Sequence, residues 1–282
     1  MITIENQRII WDDGGVLRDL SLTLNDYREQ TIVFDYEVGD YLYIGTFFPF
    51  NHRYFDVKES NLIQAQPTIE YWNGNTWSEA VDVLDESNDL SNSGVIRFVT
   101  DDDKQGWLPE NESRDVSGLE TTRIYDKFWL RLSWDQTFTP LTELNYIGFC
   151  FSKDDQLYGR YPDLNNQQFR NNFEPTLPSG TKADWNEQHF IAADEIIRDL
   201  KRKLIIKSEN QILDYSLLSD ASVHKVAEII YASLGEAYEN NRKNVREYYN
   251  IALNQGLQPV DSNMNARLDV QEQVNLSGRM SR

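Results

Sequence analysis

The sequence predicts an α+β protein: an N-terminal β-sandwich or jelly-roll-like domain, then a C-terminal helical domain and an extended tail. Three observations carry that expectation. Short alternating segments rich in aromatic and β-branched residues fill the first half, a proline- and asparagine-rich stretch follows, and the hydrophobic period then lengthens from two residues to three or four. At 282 residues the chain has room for two ordinary domains, and a 40% hydrophobic content can fill a core in each.

The strand-like segments come first. TIVFDYEV (31–38), DYLYIGTFF (40–48), TIEYWNG (68–74), TWSEAVDVL (76–84), GVIRFVT (94–100), FWLRLSW (128–134) and NYIGFCFS (145–152) are separated by Gly, Pro, Asn and Asp clusters. Several strands at such close spacing imply a sandwich in which each strand buries one face. The clearest hairpin is TIEYWNGNTWSEAV, where Asn73-Gly74 suits a tight primed turn flanked by Trp72 and Trp77. Those two rings have two readings, a structural cross-strand pair or an exposed platform that stacks on a sugar. Trp107 and Trp129 read as core. The β-sandwich domain is expected over residues 1–158.

Residues 159–182, GRYPDLNNQQFRNNFEPTLPSG and two more, read as an irregular linker in which Tyr161, Phe169 and Phe173 lie along a surface. A helical domain follows over 183–256. Asp184 with Glu187 resembles a capping box, and Phe190, Ala193, Ile197, Leu200 and Leu204 fall on one face. A second, long helix begins behind a Ser219-Asp220 cap. Its stripe holds Val223, Val226, Ala227, Ile230, Leu234, Ala237, Val245, Tyr248 and Leu253. Gly235 is a weak point where this helix kinks or splits, since glycine costs about 1 kcal/mol in a helix interior. Ile197, Leu200, Val226, Ile230, Leu234 and Tyr248 are the expected helix-packing residues. The remainder, 257–282, reads as an extended C-terminal arm with Leu268, Val270, Val274 and Leu276 in loose alternation.

Composition excludes several functions. A formal net charge of −19 repels a phosphate backbone and so disfavours tight DNA binding, though not proximity to DNA. A single cysteine, Cys150, leaves no disulfide framework and no thiolate zinc site, and it reads as a small buried residue. No apolar run approaches the roughly 20 residues that span a bilayer, and the N-terminus lacks a signal-like apolar core, so a soluble compartment is expected.

Chemical motifs are few. His224 and Glu228 are spaced as metal ligands on one helix face, but no second histidine joins them, and a helix-surface pair is the reading. Residues 101–112, DDDKQGWLPENE, resemble a calcium loop in spacing from Asp101 to Glu112. A strand before it and Pro109 within it favour a solvated acidic loop. GxSxG, phosphate-cradling and dinucleotide motifs are missing, and 46 acidic residues generate carboxylate pairs by chance. No catalytic, cofactor-binding or metal residue is assigned.

DEIIRDLKRK (194–203) followed by VHKVAEIIYASLGEAYENNRKNVREYYNIALNQG (223–256) resembles the helical core of tailed-phage head-tail adaptor proteins, also called connector or head-completion proteins. The resemblance covers about residues 184–269. It implies a structural virion protein in the head-tail neck, assembled in the host cytoplasm as a ring, commonly of about twelve copies, beneath the portal. The arm residues Leu268, Val270, Val274 and Leu276 would contact the portal, tail or neck proteins would dock below, and DNA would pass without tight binding. The family carries no catalytic residues, and its small members lack a large β-domain. That β-half loosely resembles sandwich domains of virion neck, baseplate and tail proteins, which implies a second reading: a virion-surface module for carbohydrate, receptor or fibre attachment.

Overall fold

The structure, a computed structural model, describes residues 7–100, 106–111, 115–173, 183–255 and 260–267. Within these residues the elements run β1 (Arg8–Asp13), β2 (Val16–Asp19), α1 (Ser21–Leu24), β3 (Ile32–Val33), β4 (Tyr41–Thr46), β5 (His52–Glu59), β6 (Pro67–Trp72), β7 (Trp77–Glu79), β8 (Val81–Asp85), β9 (Gly94–Val99), β10 (Phe128–Trp134) and β11 (Glu143–Gly148). Helices α2 (Asp154–Arg160), α3 (Gln167–Phe173), α4 (Asn186–Arg202), α5 (Ser219–Ser233) and α6 (Glu239–Gln255) follow. The α+β class holds.

The chain divides into two compact units. Among the described residues, the β unit takes 7–148 and adds 208–213 and 261–267, while the helical unit takes the rest. The β unit is two antiparallel sheets, in the orders β2-β1-β4-β10-β6-β7 and β3-β11-β5-β9-β8. Ile9, Trp11, Ile44 and Leu130 of the first sheet share a core with Phe55, Ile96 and Leu144 of the second, so alternate residues of both sheets fill the space between them. The outer face of the first sheet is covered as well. Val116 and Leu119 close over Ile10, Tyr43, Trp72 and Trp129, which makes a second apolar layer. Gly45 stands opposite Trp129 in the register, and a Cβ there would lie 2.6 Å from the indole, so only glycine fits.

Several β-half expectations change; TIVFDYEV is strand only at Ile32–Val33, and NYIGFCFS only as far as Gly148. TWSEAVDVL is not one strand: it crosses between sheets at the buried Ala80, with β7 pairing β6 and β8 pairing β9. The Asn73-Gly74 turn is longer than a two-residue turn, because Trp72 pairs with Trp77 and only Gly74 takes positive φ. Asn73 organises that loop through its Oδ1, which accepts from the backbone N–H of Asn75 and Thr76 at 3.0 and 2.9 Å. The longest strand, β5, went unrecognised because its inner positions include a buried arginine that breaks the apolar alternation. Arg53 donates to Gln7 Oε1, the His52 carbonyl and Asn210 Oδ1, and its guanidinium lies 3.6 Å from the Phe50 ring centroid.

The helical unit corrects the expected linker. Residues 159–173 form the end of α2, a 3-10 turn at Pro162–Asn165 and α3, and Leu164, Phe169 and Phe173 pack with Trp185 and α5 residues in one core. The long helix does split at Gly235, whose φ of +85° separates α5 from α6. Beyond the break Val245 and Leu253 of the expected stripe stay buried, and within α6 only its tyrosine changes. Tyr249, at 3% exposure, is the packed tyrosine, while Tyr248 is 51% exposed.

Leu204 also leaves the expected face. It sits at φ +58° just past α4, with its N–H on the Lys201 carbonyl and the N–H of Ile205 on the Leu200 carbonyl, which is a Schellman closure with leucine where glycine is usual. The two anticipated caps differ too. Trp185 rather than Asp184 holds the N-cap of α4, and the 3-10 turn Tyr215–Leu218 runs directly into α5 with no side-chain cap at Ser219 or Asp220.

Candidate functional site

The helical unit contains a buried hydrogen-bond chain that resembles an acyl-transfer triad. Ser152 Oγ lies 2.8 Å from His189 Nδ1, and His189 Nε2 lies 3.1 Å from Asp154 Oδ1. Ser152 precedes α2, Asp154 opens it, and His189 enters from the first turns of α4. The chain continues, for Ser152 Oγ is 2.7 Å from Ser222 Oγ on α5. Asp154 further accepts from Tyr158 Oη at 2.8 Å and from the Trp185 N–H at 3.3 Å. Burial raises the Asp154 pKa, but the hydrogen bonds from His189 and Tyr158 outweigh it and hold the carboxyl below its ordinary value.

Access decides what this arrangement does. A nucleophile needs a lone pair facing substrate, yet Ser152 is 3% exposed and its oxygen is already engaged by His189 and Ser222. The chain therefore acts as a polar clamp that joins α2, α4 and α5. Each buried group gains a partner, which is what makes their burial tolerable.

A second network lies where α4, α5 and α6 meet. Lys225, 8% exposed, places Nζ 3.0 Å from Glu228 and 3.2 Å from Glu195, and its ammonium sits 4.1 Å from the Tyr249 ring centroid. Arg246 Nε reaches the other Glu228 oxygen at 2.6 Å, and Tyr249 Oη donates to Asp199 at 2.7 Å. Burial and then that bond to Asp199 push the Tyr249 hydroxyl far above its usual pKa, so it stays a donor. The side chains border a groove of about 370 Å³ that includes Arg198, Arg202 and Asn250. Its charges alternate in sign and pair with one another.

The outer side of α6 differs in kind. Tyr248 and Ile251 are exposed there at 51% and 43%, and Ile251 joins Lys243, Arg246, Glu247, Asn250 and Asn254 around a shallow cavity of about 470 Å³. The helical unit thus offers an ion-pair groove and, adjoining it through Arg246 and Asn250, an amphipathic face of α6.

Of the anticipated packing residues, Leu200, Val226 and Ile230 are buried, Ile197 and Leu234 are half-buried, and Tyr248 is exposed. Leu268, Val270, Val274 and Leu276 lie outside the described residues, as do Asp101 and Glu112 of the acidic loop. Trp72 is 3% exposed and meets Trp77 edge-on at 5.5 Å, so it presents no face to a sugar. Trp77 donates its N–H to the Ser117 carbonyl and takes the Arg131 guanidinium over its ring at 4.7 Å. The pair reads as structural.

His224 and Glu228, expected as a surface pair, are both buried and belong to different networks. His224 Nδ1 meets Tyr161 Oη at 2.5 Å, whereas Glu228 serves Lys225 and Arg246. Among the described residues no group of three or more His, Cys, Asp or Glu converges as a metal site. The Ser152 chain and the Lys225 network escaped sequence reasoning, because the links that close them, Ser152 to Ser222 and Glu228 to Arg246, span 70 and 18 residues and carry no motif. No protein-family model matches this chain, and no curated protein matches its sequence.

Proposed function

We propose that the protein is a structural virion component, a head-to-tail adaptor whose helical unit builds a ring beneath the portal. The observation that carries this reading is the pairing of two unlike surfaces on α4–α6. A ring closes through a heterologous contact, in which one patch of each subunit meets a different patch of the next. The ion-pair groove and the Tyr248–Ile251 face of α6 are two such patches. The net charge of −19 supports a DNA conduit, since an acidic wall lets a polyanion pass without holding it. The resemblance of residues 184–269 to adaptor helical cores points the same way, and the polar networks read as scaffolding, not chemistry.

Native mass spectrometry and electron microscopy of the full chain, alone and mixed with its portal, test the reading. Ring-shaped particles, or rings formed on portal, are expected. A chain that stays monomeric in both conditions removes it.

A further inference from the structure

In the β unit several exposed apolar residues gather around one buried polar side chain. Leu62 is 78% exposed, Leu141 72%, Val33 47% and Ile63 45%. They belong to separate stretches of chain, and a single buried side chain gathers two of the loops. Asn61, 1% exposed, donates Nδ2 to the carbonyls of Ile63 and Asp89 at 2.7 and 2.9 Å and accepts at Oδ1 from the Thr139 N–H at 3.1 Å. Thr139 Oγ1 in turn accepts the Leu62 N–H at 2.9 Å. The third stretch is tied on through Thr142, which bonds the Thr139 carbonyl and accepts the Phe34 N–H at 2.7 Å.

This construction fixes the backbone of a protruding apolar knob. Leucines on a floppy loop would lose several rotamers and backbone states on docking, whereas a pre-ordered tip loses less. Burying a leucine against water contributes nothing until something covers it, so an ordered tip that holds two leucines outward is built for a complementary surface.

The rim of the tip states the partner's charge. Directly beneath it Val33, Glu143 and Glu59 stand side by side across β3, β11 and β5, with the two glutamates opposite each other in the register. Like charges facing across a strand pair destabilise a sheet, and a cation placed over both removes that cost. Asp89, whose carbonyl accepts from Asn61, is a further acid beside the tip. Lys58 precedes Glu59 on the same strand, so its side chain leaves the opposite face of the sheet.

We propose that this tip, Leu62, Ile63, Leu141 and Val33 above Glu59 and Glu143, is a docking knob for an apolar cleft rimmed by Lys or Arg on a different polypeptide. A second copy presenting the same tip would bring glutamates against glutamates, and an anionic membrane would meet the same acids. The inference stands whether or not the helical unit forms rings.

Photocrosslinking tests it. A benzophenone amino acid is placed at position 62, at 141, or at Val16, an exposed apolar control on the β1–β2 hairpin at 59% exposure, in the full chain within its source cells or particles. Positions 62 and 141 are expected to label one peptide of one other polypeptide, with apolar residues flanked by Lys or Arg, while Val16 does not. Yield should fall at least about fivefold when ionic strength rises from about 0.05 to about 0.5 M, and similarly in a Glu59→Lys, Glu143→Lys double variant that keeps its circular dichroism spectrum. Labelling of a second copy, of lipid or of an acidic peptide, salt-insensitive labelling, or no labelling above the Val16 level would each overturn the proposal.

Discussion

The β unit and the helical unit hold themselves together by different means. In the β unit the interior is mainly rings: Trp11 meets Phe34 at 5.0 Å, Trp134 meets Phe138 at 5.0 Å, and Trp107 meets Phe50 at 5.2 Å. Backbone ladders satisfy the strand peptides there, and buried polar side chains such as Arg53 and Asn61 are tied to neighbouring amides and carbonyls around that aromatic interior. In the helical unit the helices satisfy their own backbones and meet only through side chains, and polar chains occupy the junctions, Ser152–His189–Asp154 on one side and Lys225–Glu228–Arg246 on the other. The difference teaches that removal of volume should hurt the first unit most, and removal of a single hydrogen-bonding atom the second.

The largest effect expected from that contrast is Trp129→Ala. The fully buried indole fills the space over Gly45 and donates to Glu110 at 2.8 Å, so its loss should cost the β unit about 3–5 kcal/mol. Six of the seven tryptophans lie in the β unit, so urea unfolding followed by fluorescence reads that unit and ellipticity at the helical minimum reads the other. A cost below about 1 kcal/mol would break the comparison.

Acid comes next. Burial, then the neighbouring Arg53 and Arg97, lower the His52 pKa to about 3. A depressed folded-state pKa means that the unfolded chain binds the proton more tightly, so the stability from neutral His52 is whole above about pH 6.5 and drains away as pH falls toward 3. In the helical unit burial also lowers His224, and the Asp154 carboxyl adds a loss below its own ordinary range. His52→Asn should therefore move the acid midpoint of the fluorescence signal downward and leave the helical midpoint in place. His224→Asn should do the reverse, and equal shifts of both signals in either variant would contradict the assignment.

His189→Leu sharpens the contrast from the other side. It strips partners from Ser152 and Asp154 without opening a large cavity, and a cost of about 1–3 kcal/mol confined to the helical signal is expected in chemical denaturation. A neutral result would mean that the polar clamp does not hold its helices.

The smallest effect on folding should come from Tyr248→Ala, within about 0.5 kcal/mol because the ring is 51% exposed. The same variant should disrupt assembly if the outer α6 face is a subunit contact. Rings of unchanged yield would move that contact elsewhere.

Much of this was legible in the linear chain. Alternation in DYLYIGTFF and FWLRLSW marked central strands β4 and β10, and Gly235 marked the helix break, because periodicity and glycine backbone freedom act within a few residues. Beyond that range the reading failed in instructive places. HRYFDVKE looks too polar for a core strand until Gln7 and Asn210 arrive to satisfy Arg53 from 46 and 157 residues away. Trp72 looks like a surface ring until Val116 and Leu119 cover it. Tyr248 and Tyr249 part company by spacing, since Tyr249 stands four residues from both Val245 and Leu253 on the buried face of α6.

The amino-acid order alone thus determined the class of fold and the change from strands to helices, since these follow from local period. Only the tertiary structure decided which polar residues are buried, which aromatic rings face water and which loops meet at Asn61. Burial is a property of what arrives from far along the chain, and a buried hydrogen bond or an exposed leucine has no meaning until both of its sides are in place.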